Sequence, residues 1–364
     1  MTGQHRIDVL GAGYAGLAAA RRLAHAARAA HITVVDARAT FVERVRLHQY
    51  GVGQSIPEWD LRELLEPKRI HFVRAWANGI DTEHKRVILD GAPALDYDSL
   101  IYTLGSTNDA AGVPGVAEHA YSVATPEDSE WLRTGVPAGR IVVVGTGATG
   151  IELAAELAES HRDSRVLLLG SDEPASWLSR RARDHVRRAL ERLGVEIRSS
   201  AKVIEVLADG VRLADGSVID AAGTVWTAGF GVPDLAERSG LLVDGHGRVR
   251  TDETLRSLSH PDVFAAGDSA VIGGPGGREL RMACATALPT GRYAADAVIA
   301  HVAGLEPREL RFRYYFQCIS LGRRDGLIQF LHADDSPGRT VLTGRTAAWF
   351  KEQIVRGAGR SARP

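Results

Sequence analysis

The chain has 364 residues, 45% of them hydrophobic and 24% charged, with a formal net charge of −1. That length exceeds one ordinary core and points to two or three domains, while the balanced charge speaks against a dedicated nucleic-acid binder, so no nucleic-acid partner is expected. No apolar run reaches the roughly 18 residues of a membrane span, the start lacks a signal-peptide pattern, and two isolated cysteines, Cys284 and Cys318, make no disulfide framework or metal site; a cytoplasmic setting is the simplest expectation.

In chain order, the first unit reads strand, glycine turn, helix, strand. "IDVL" is a short apolar strand, "GAGYAG" carries Gly11, Gly13 and Gly16 in the G-x-G-x-x-G pattern, and Leu17, Ala20, Leu23, Ala24 and Ala27 recur at helical spacing. The β-branched run "ITVVD" then ends on Asp36, 25 residues after Gly11. An acid at that distance meets an adenosine ribose 2′-hydroxyl, and the free N–H groups at the helix start take a pyrophosphate.

Residues 71–104 alternate strands and turns, and "AAGVPGVAE" (110–118) reads as a linker. A second complete unit follows, "RIVVVGTGATGIELAAELAES", with Gly145, Gly147 and Gly150, then the strand "RVLLLG" and a charged helix in "RARDHVRRALERLGVEIR". "VRLADGSVID" is a hairpin marked by Asp-Gly. An apolar strand in "VFAAGDSA" ends at Gly267-Asp268. Toward the C-terminus, "FRYYFQCISLGRRDGLIQFL" predicts a strand pair and "GRTAAWFKEQIVRG" a short helix. Ala347, Phe350 and Ile354 share one face of it, with Lys351, Glu352 and Arg356 elsewhere; the apolar face suits packing on the body, a dimer partner or a membrane surface. The tail "GAGRSARP" is expected to be disordered.

The ordered set "GAGYAG", "LIYTLGS", "GTGATGIE", "VWTAGF" and "VFAAGD" resembles the two-dinucleotide-binding-domain flavoproteins, the pyridine nucleotide-disulfide reductase superfamily, over roughly residues 5–305. The resemblance implies an α/β fold: an FAD domain in two parts (1–111 and 231–305), an inserted NAD(P)H domain (112–230) and a small α+β C-terminal region (306–364). It implies FAD on Gly11, Gly13, Tyr14, Ala15 and Gly16, with Asp36 at the ribose, Asp268 at the ribityl chain, and Ala77, Gly105 and Ala285 completing the site. It implies NADH or NADPH on Gly145, Gly147, Gly150, Gly170 and Gly229.

Members that reduce disulfides carry a cysteine pair after the first ribose acid or in the second nucleotide domain. Neither "FVERVRLHQYGVGQS" nor residues 145–230 contain cysteine, which excludes that dithiol relay. What remains is similar to type II NADH:quinone dehydrogenases and apoptosis-inducing-factor-like oxidoreductases. It departs from the former in "MACATALPTGRYAAD", where those enzymes usually carry glutamines, and in its C-terminal segment, where they often carry membrane-binding helices; both departures speak against a membrane quinone as acceptor.

The expected activity is therefore FAD-dependent NAD(P)H oxidation, with electrons passed to a quinone or quinone-like small molecule. A ferredoxin or rubredoxin reductase, a tailoring oxidoreductase of a biosynthetic pathway, and a nucleotide-sensing flavoprotein are the alternatives. Glu152 stands where the resemblance places a glutamate near nicotinamide and flavin, or it pairs with an arginine such as Arg46. His48 is a candidate proton donor or a structural hydrogen-bonding residue. Cys284 begins the helix expected to face the flavin, as a packing residue before a redox one. The second-fold counterpart of Asp36 is Gly170; Arg180, Arg181 and Arg183 could meet a 2′-phosphate or form a solvated helix start.

Overall fold

The structure is a computed structural model that describes residues 4–109 and 112–362. Ala110 and Ala111 of the linker, and the last two residues of the tail, lie outside the described residues.

Two five-stranded parallel sheets organise the chain. The first runs Val263–Ala265, Ser99–Tyr102, Arg6–Leu10, His31–Asp36, Ile70–Arg74. The second runs Ala120–Tyr121, Gly223–Trp226, Arg140–Val144, Arg165–Leu169, Glu196–Arg198. In each, the strand before the glycine loop is central and buried over its last four residues, which is why both read as near-unbroken apolar runs rather than alternating ones. Helices Tyr14–Ala26 and Ala148–Ser160 follow the two loops and return the chain to the next parallel strand. These are the doubly wound α/β folds expected from the sequence. The first core packs its sheet against helices Tyr14–Ala26 and Cys284–Val302, so residues far apart in sequence share one core.

Beyond the second sheet the expected hairpin is present, Gly210–Leu213 pairing antiparallel with Val218–Asp220. The C-terminal region differs from expectation in three ways. Its strand pair, Phe316–Ser320 and Gly326–Leu331, gains a third antiparallel strand, Pro337–Thr343. The helix spans Gly344–Ala362, so the tail is ordered through Ala362 rather than disordered. Tertiary contact overrides the low propensity of Gly357 and Gly359: the Arg21 guanidinium donates to the Ser361 carbonyl (3.1 Å) and Ala362 is fully buried. The buried stripe is also offset. Ala347, Lys351, Val355, Gly359 and Ala362 face inward, whereas Phe350 is exposed and Ile354 only partly covered. Lys351, placed off the apolar face by the sequence, lies inside.

Candidate active site

The two glycine loops are built alike. Gly11 N–H donates to the Val35 carbonyl (2.8 Å) and Gly145 N–H to that of Leu169 (2.7 Å). Glycine at 16 and at 150 is required because a Cβ would run into the carbonyl of Gly11 or Gly145. Each loop is also tied from behind by a threonine that the sequence reading passed over. The Thr103 hydroxyl donates to the Leu10 carbonyl (2.7 Å), and that of Thr227 to Val144 (2.8 Å). The signal was available in the paired "YTLG" and "WTAG", each directly after a strand.

Both loops leave room for a ligand. A Cβ on Gly13 or Gly147 would meet nothing within 4 Å, and neither following helix has a side-chain N-cap. Their first N–H groups are therefore free for a phosphate.

Around the first loop the expected residues converge on the C-terminal edge of the first sheet. Asp36 accepts from Ala12 N–H (2.7 Å) and Arg38 N–H (2.8 Å), which fixes its carboxylate at the strand end. Ala75 N–H bonds the Asp36 carbonyl (3.0 Å), bringing Ala77, two residues on, toward the same edge. Tyr14 is buried edge-on against Phe41, and Ala15 packs near Gly267. Gly105 has φ +72° and lies beside the Arg44 guanidinium, another residue the sequence reading missed. Burial lowers the pKa of Arg44, and the nearby Asp268 carboxylate works against that shift.

Asp268 accepts from the Ser106 hydroxyl (2.7 Å) through one oxygen, while its other oxygen is buried with no hydrogen-bond partner among the described residues. A buried carboxylate oxygen left so is costly unless a ligand hydroxyl supplies the missing donor. Ala285 stands exposed in the first turn of helix Cys284–Val302, facing outward from the same region. The donor set fits a dinucleotide with a polyhydroxyl chain.

Around the second loop, Gly145, Gly147, Gly150 and Gly170 cluster, and Gly229 (φ +111°) lies two residues beyond Thr227, beside Asp109. Arg180 and Arg181 are exposed at the head of helix Arg180–Arg192, with Arg183 partly buried one turn in.

Glu152 and His48 are brought together from different elements. His48 Nδ1 lies 3.8 Å from Glu152 Oε2, and His48 Nε2 is buried without a hydrogen-bond partner among the described residues. The expected Glu152–Arg46 pair does not form. Arg46 is taken by Glu43 (2.7 Å) and Glu352 (2.9 Å), and Glu152 Oε1 instead accepts from the Lys351 ammonium and from Ser320 N–H (2.9 Å). Lys351 is 8% exposed and His48 4%. Burial, then the Lys351, Arg323 and Arg46 cations, hold His48 well below its ordinary pKa, so its imidazole is neutral at pH 7. Burial also pushes the Lys351 ammonium down, with Arg46 adding to the effect.

Helix Ala148–Ser160 sets this group against the C-terminal sheet with three glutamates on one side. Besides Glu152, the fully buried Glu156 accepts from Gln54 (2.6 Å) and Arg323 (3.1 Å), and Glu159 accepts from Arg323 N–H (2.8 Å). A cleft of about 340 Å³, lined by Gln49, Ser320, Arg323, Trp349, Lys351 and Glu352 among others, reaches the group from outside. Cys284 and Cys318 remain free thiols, and burial raises both, Cys284 to about 11 and Cys318 to about 12, which suits packing rather than thiolate chemistry.

Two parallel α/β sheets, each with a glycine loop opening the helix that follows its central strand, make a fold of the dinucleotide-binding class. The chain belongs to the pyridine nucleotide-disulphide oxidoreductase family, whose model matches residues 5–291. It is 32% identical to an NADH dehydrogenase-like protein of Mycobacterium tuberculosis, over 96% of this chain and 92% of that one. A type II NADH:quinone oxidoreductase of Staphylococcus epidermidis is 27% identical over 96% and 94% of the two chains. In fold it resembles NDH2 of Plasmodium falciparum, solved in complex with NADH, at TM-score 0.83 and 14% identity, covering 97% of this chain and 94% of that one. Among the described residues, no helix is long and apolar enough to cross a membrane.

Proposed function

We propose that the protein is an FAD-dependent NADH oxidoreductase whose electrons leave to a quinone or quinone-like small molecule. The observation that carries this reading is the meeting of His48, Glu152 and Lys351 between the two nucleotide folds, with a cleft leading to it. FAD would lie on the first loop, held by Asp36 and by the unpartnered oxygen of Asp268, with Arg44 beside it; the nicotinamide dinucleotide would lie on the second. When bound, the flavin supplies the two-electron relay between donor and acceptor.

The chain's own residues provide the rest. The two loops hold the dinucleotides by backbone N–H groups and fix their approach. Reduction of a quinone to a quinol takes two electrons and two protons, and a hydride brings only one proton, so one must come from solvent. Lys351 borders the cleft and touches Glu152, which stands beside His48; the three form a path for that proton. A neutral His48 can hand on a proton without first losing one. The name of the Staphylococcus epidermidis relative, a type II NADH:quinone oxidoreductase, supports the quinone acceptor.

The test is an anaerobic titration of the purified, flavin-loaded protein with NADH, followed by mixing with a soluble quinone. NADH should bleach the oxidised flavin band and the quinone should restore it. A colourless protein, or a flavin that NADH leaves oxidised, contradicts the reading; a flavin that is reduced but not restored by quinones contradicts the acceptor alone.

A further inference from the structure

The chain contains its own control for nucleotide selectivity, because the same fold occurs twice. Strand register aligns the copies residue by residue: Leu10 pairs with Val35 in the first, and Val144 with Leu169 in the second. Asp36 and Gly170 are therefore the same position, the strand-end residue that faces the adenosine ribose. A carboxylate there accepts from a ribose 2′-hydroxyl and repels a 2′-phosphate. In the first copy Asp36 is locked in place by the N–H groups of Ala12 and Arg38.

The second copy has no room for such a group. A Cβ on Gly170 would lie 2.8 Å from Thr146 Cγ2 and 2.9 Å from its hydroxyl. Thr146 is the counterpart of Ala12, so its larger side chain fills the volume that the Asp36 side chain uses in the first copy. The segment after Gly170 then folds over the loop, with Ala175 N–H donating to the Thr146 carbonyl (3.4 Å). Of the nearby acids, Glu173 is engaged by Arg187, and Asp172 is exposed one residue beyond Ser171. Five arginines stand against three carboxylates between residues 171 and 188, and Arg183 Nε is buried with no hydrogen-bond partner among the described residues.

We propose that the second site does not discriminate strongly between the two nicotinamide dinucleotides and accepts the one phosphorylated on the adenosine 2′-oxygen with an affinity within tenfold of the unphosphorylated one. Thr146 and Gly170 are the residues that remove the discrimination. The proposal rests on the second loop being the nicotinamide site, and deepens that reading by naming what the loop does not exclude.

Calorimetric titration of the flavin-loaded protein with NAD+ and, separately, NADP+ tests it without turnover. The phosphorylated form should bind no more than tenfold weaker than the other. Transplanting the first-copy pair, Thr146→Ala with Gly170→Asp, should then weaken NADP+ at least tenfold relative to NAD+. A wild-type preference for NAD+ above tenfold overturns the proposal, as does a folded double variant with an unchanged ratio. Binding of neither dinucleotide would instead overturn the reading of the second loop itself, so the two failures are distinct.

Discussion

The proposed donor end and the proposed acceptor end of this molecule are built on opposite plans. Each nucleotide loop is largely local: one strand, six residues and one helix carry the glycines, and a single threonine at the end of the neighbouring strand in the sheet completes it. The acceptor end is assembled from four distant pieces, namely His48, Glu152, Ser320 and Lys351, and none of them is adjacent to another in sequence. Backbone N–H groups would do the binding at the donor end, so side-chain identity should matter little there except where a Cβ collides. At the acceptor end side-chain chemistry is everything, and it depends on the C-terminal helix being docked. The two ends should therefore fail independently.

The sharpest test of that independence at the donor end is Gly150→Ala. Its Cβ meets the Gly145 carbonyl, displacing the loop. The variant should keep its flavin yet lose reduction by NADH more than about a hundredfold, read by the rate of flavin bleaching. Loss of flavin together with reduction would show that the two folds are not separable.

Asp268→Ala probes the other nucleotide. It removes a charged partner worth about 1.5–3 kcal/mol, so flavin affinity should fall about 10- to 150-fold, measured by flavin release on dilution. The reduction rate of the fraction that stays loaded should be unchanged.

A smaller effect concerns the scaffold alone. Asp8 lies in the central strand of the first sheet with one oxygen unpartnered among the described residues, and burial raises its carboxyl to about 7. A carboxyl raised in the folded state stabilises fully below its unfolded pKa and loses that contribution as pH rises through the folded value. Wild-type stability should thus decline between about pH 4 and 8 relative to Asp8→Asn, by at most about 4 kcal/mol. Denaturation midpoints of both proteins across that range check the sign: a difference that does not change with pH would contradict it.

What could be read in the sequence follows the same division. The glycine loops and Asp36 were legible because their spacing is dictated by a strand, a turn and a helix in succession, whereas Asp268 followed only from the resemblance that "VFAAGD" carries. The parallel sheets followed from two repeats of one unit. Lys351 was not legible, because a lysine in an amphipathic helix next to Trp349 and Phe350 reads as solvated, and only the docking of that helix across the C-terminal sheet turns it inward. Arg46 misled for a related reason: Glu43 and Glu352 claim it, and Glu352 comes from the same late helix. The third strand Pro337–Thr343 and the ordered tail were lost to local propensity, since glycines and a proline there speak against regular structure until tertiary contacts supply it.

The most direct test of independent ends is anaerobic stopped-flow measurement of both half-reactions in wild type and in Lys351→Met with Glu152→Gln, a pair that avoids leaving one buried charge alone. Flavin reduction by NADH should stay within about threefold, while reoxidation by a soluble quinone should slow about 10²- to 10⁴-fold. Equal slowing of both half-reactions, or an unchanged reoxidation rate, would contradict the assignment of the acceptor end to Lys351, Glu152 and His48.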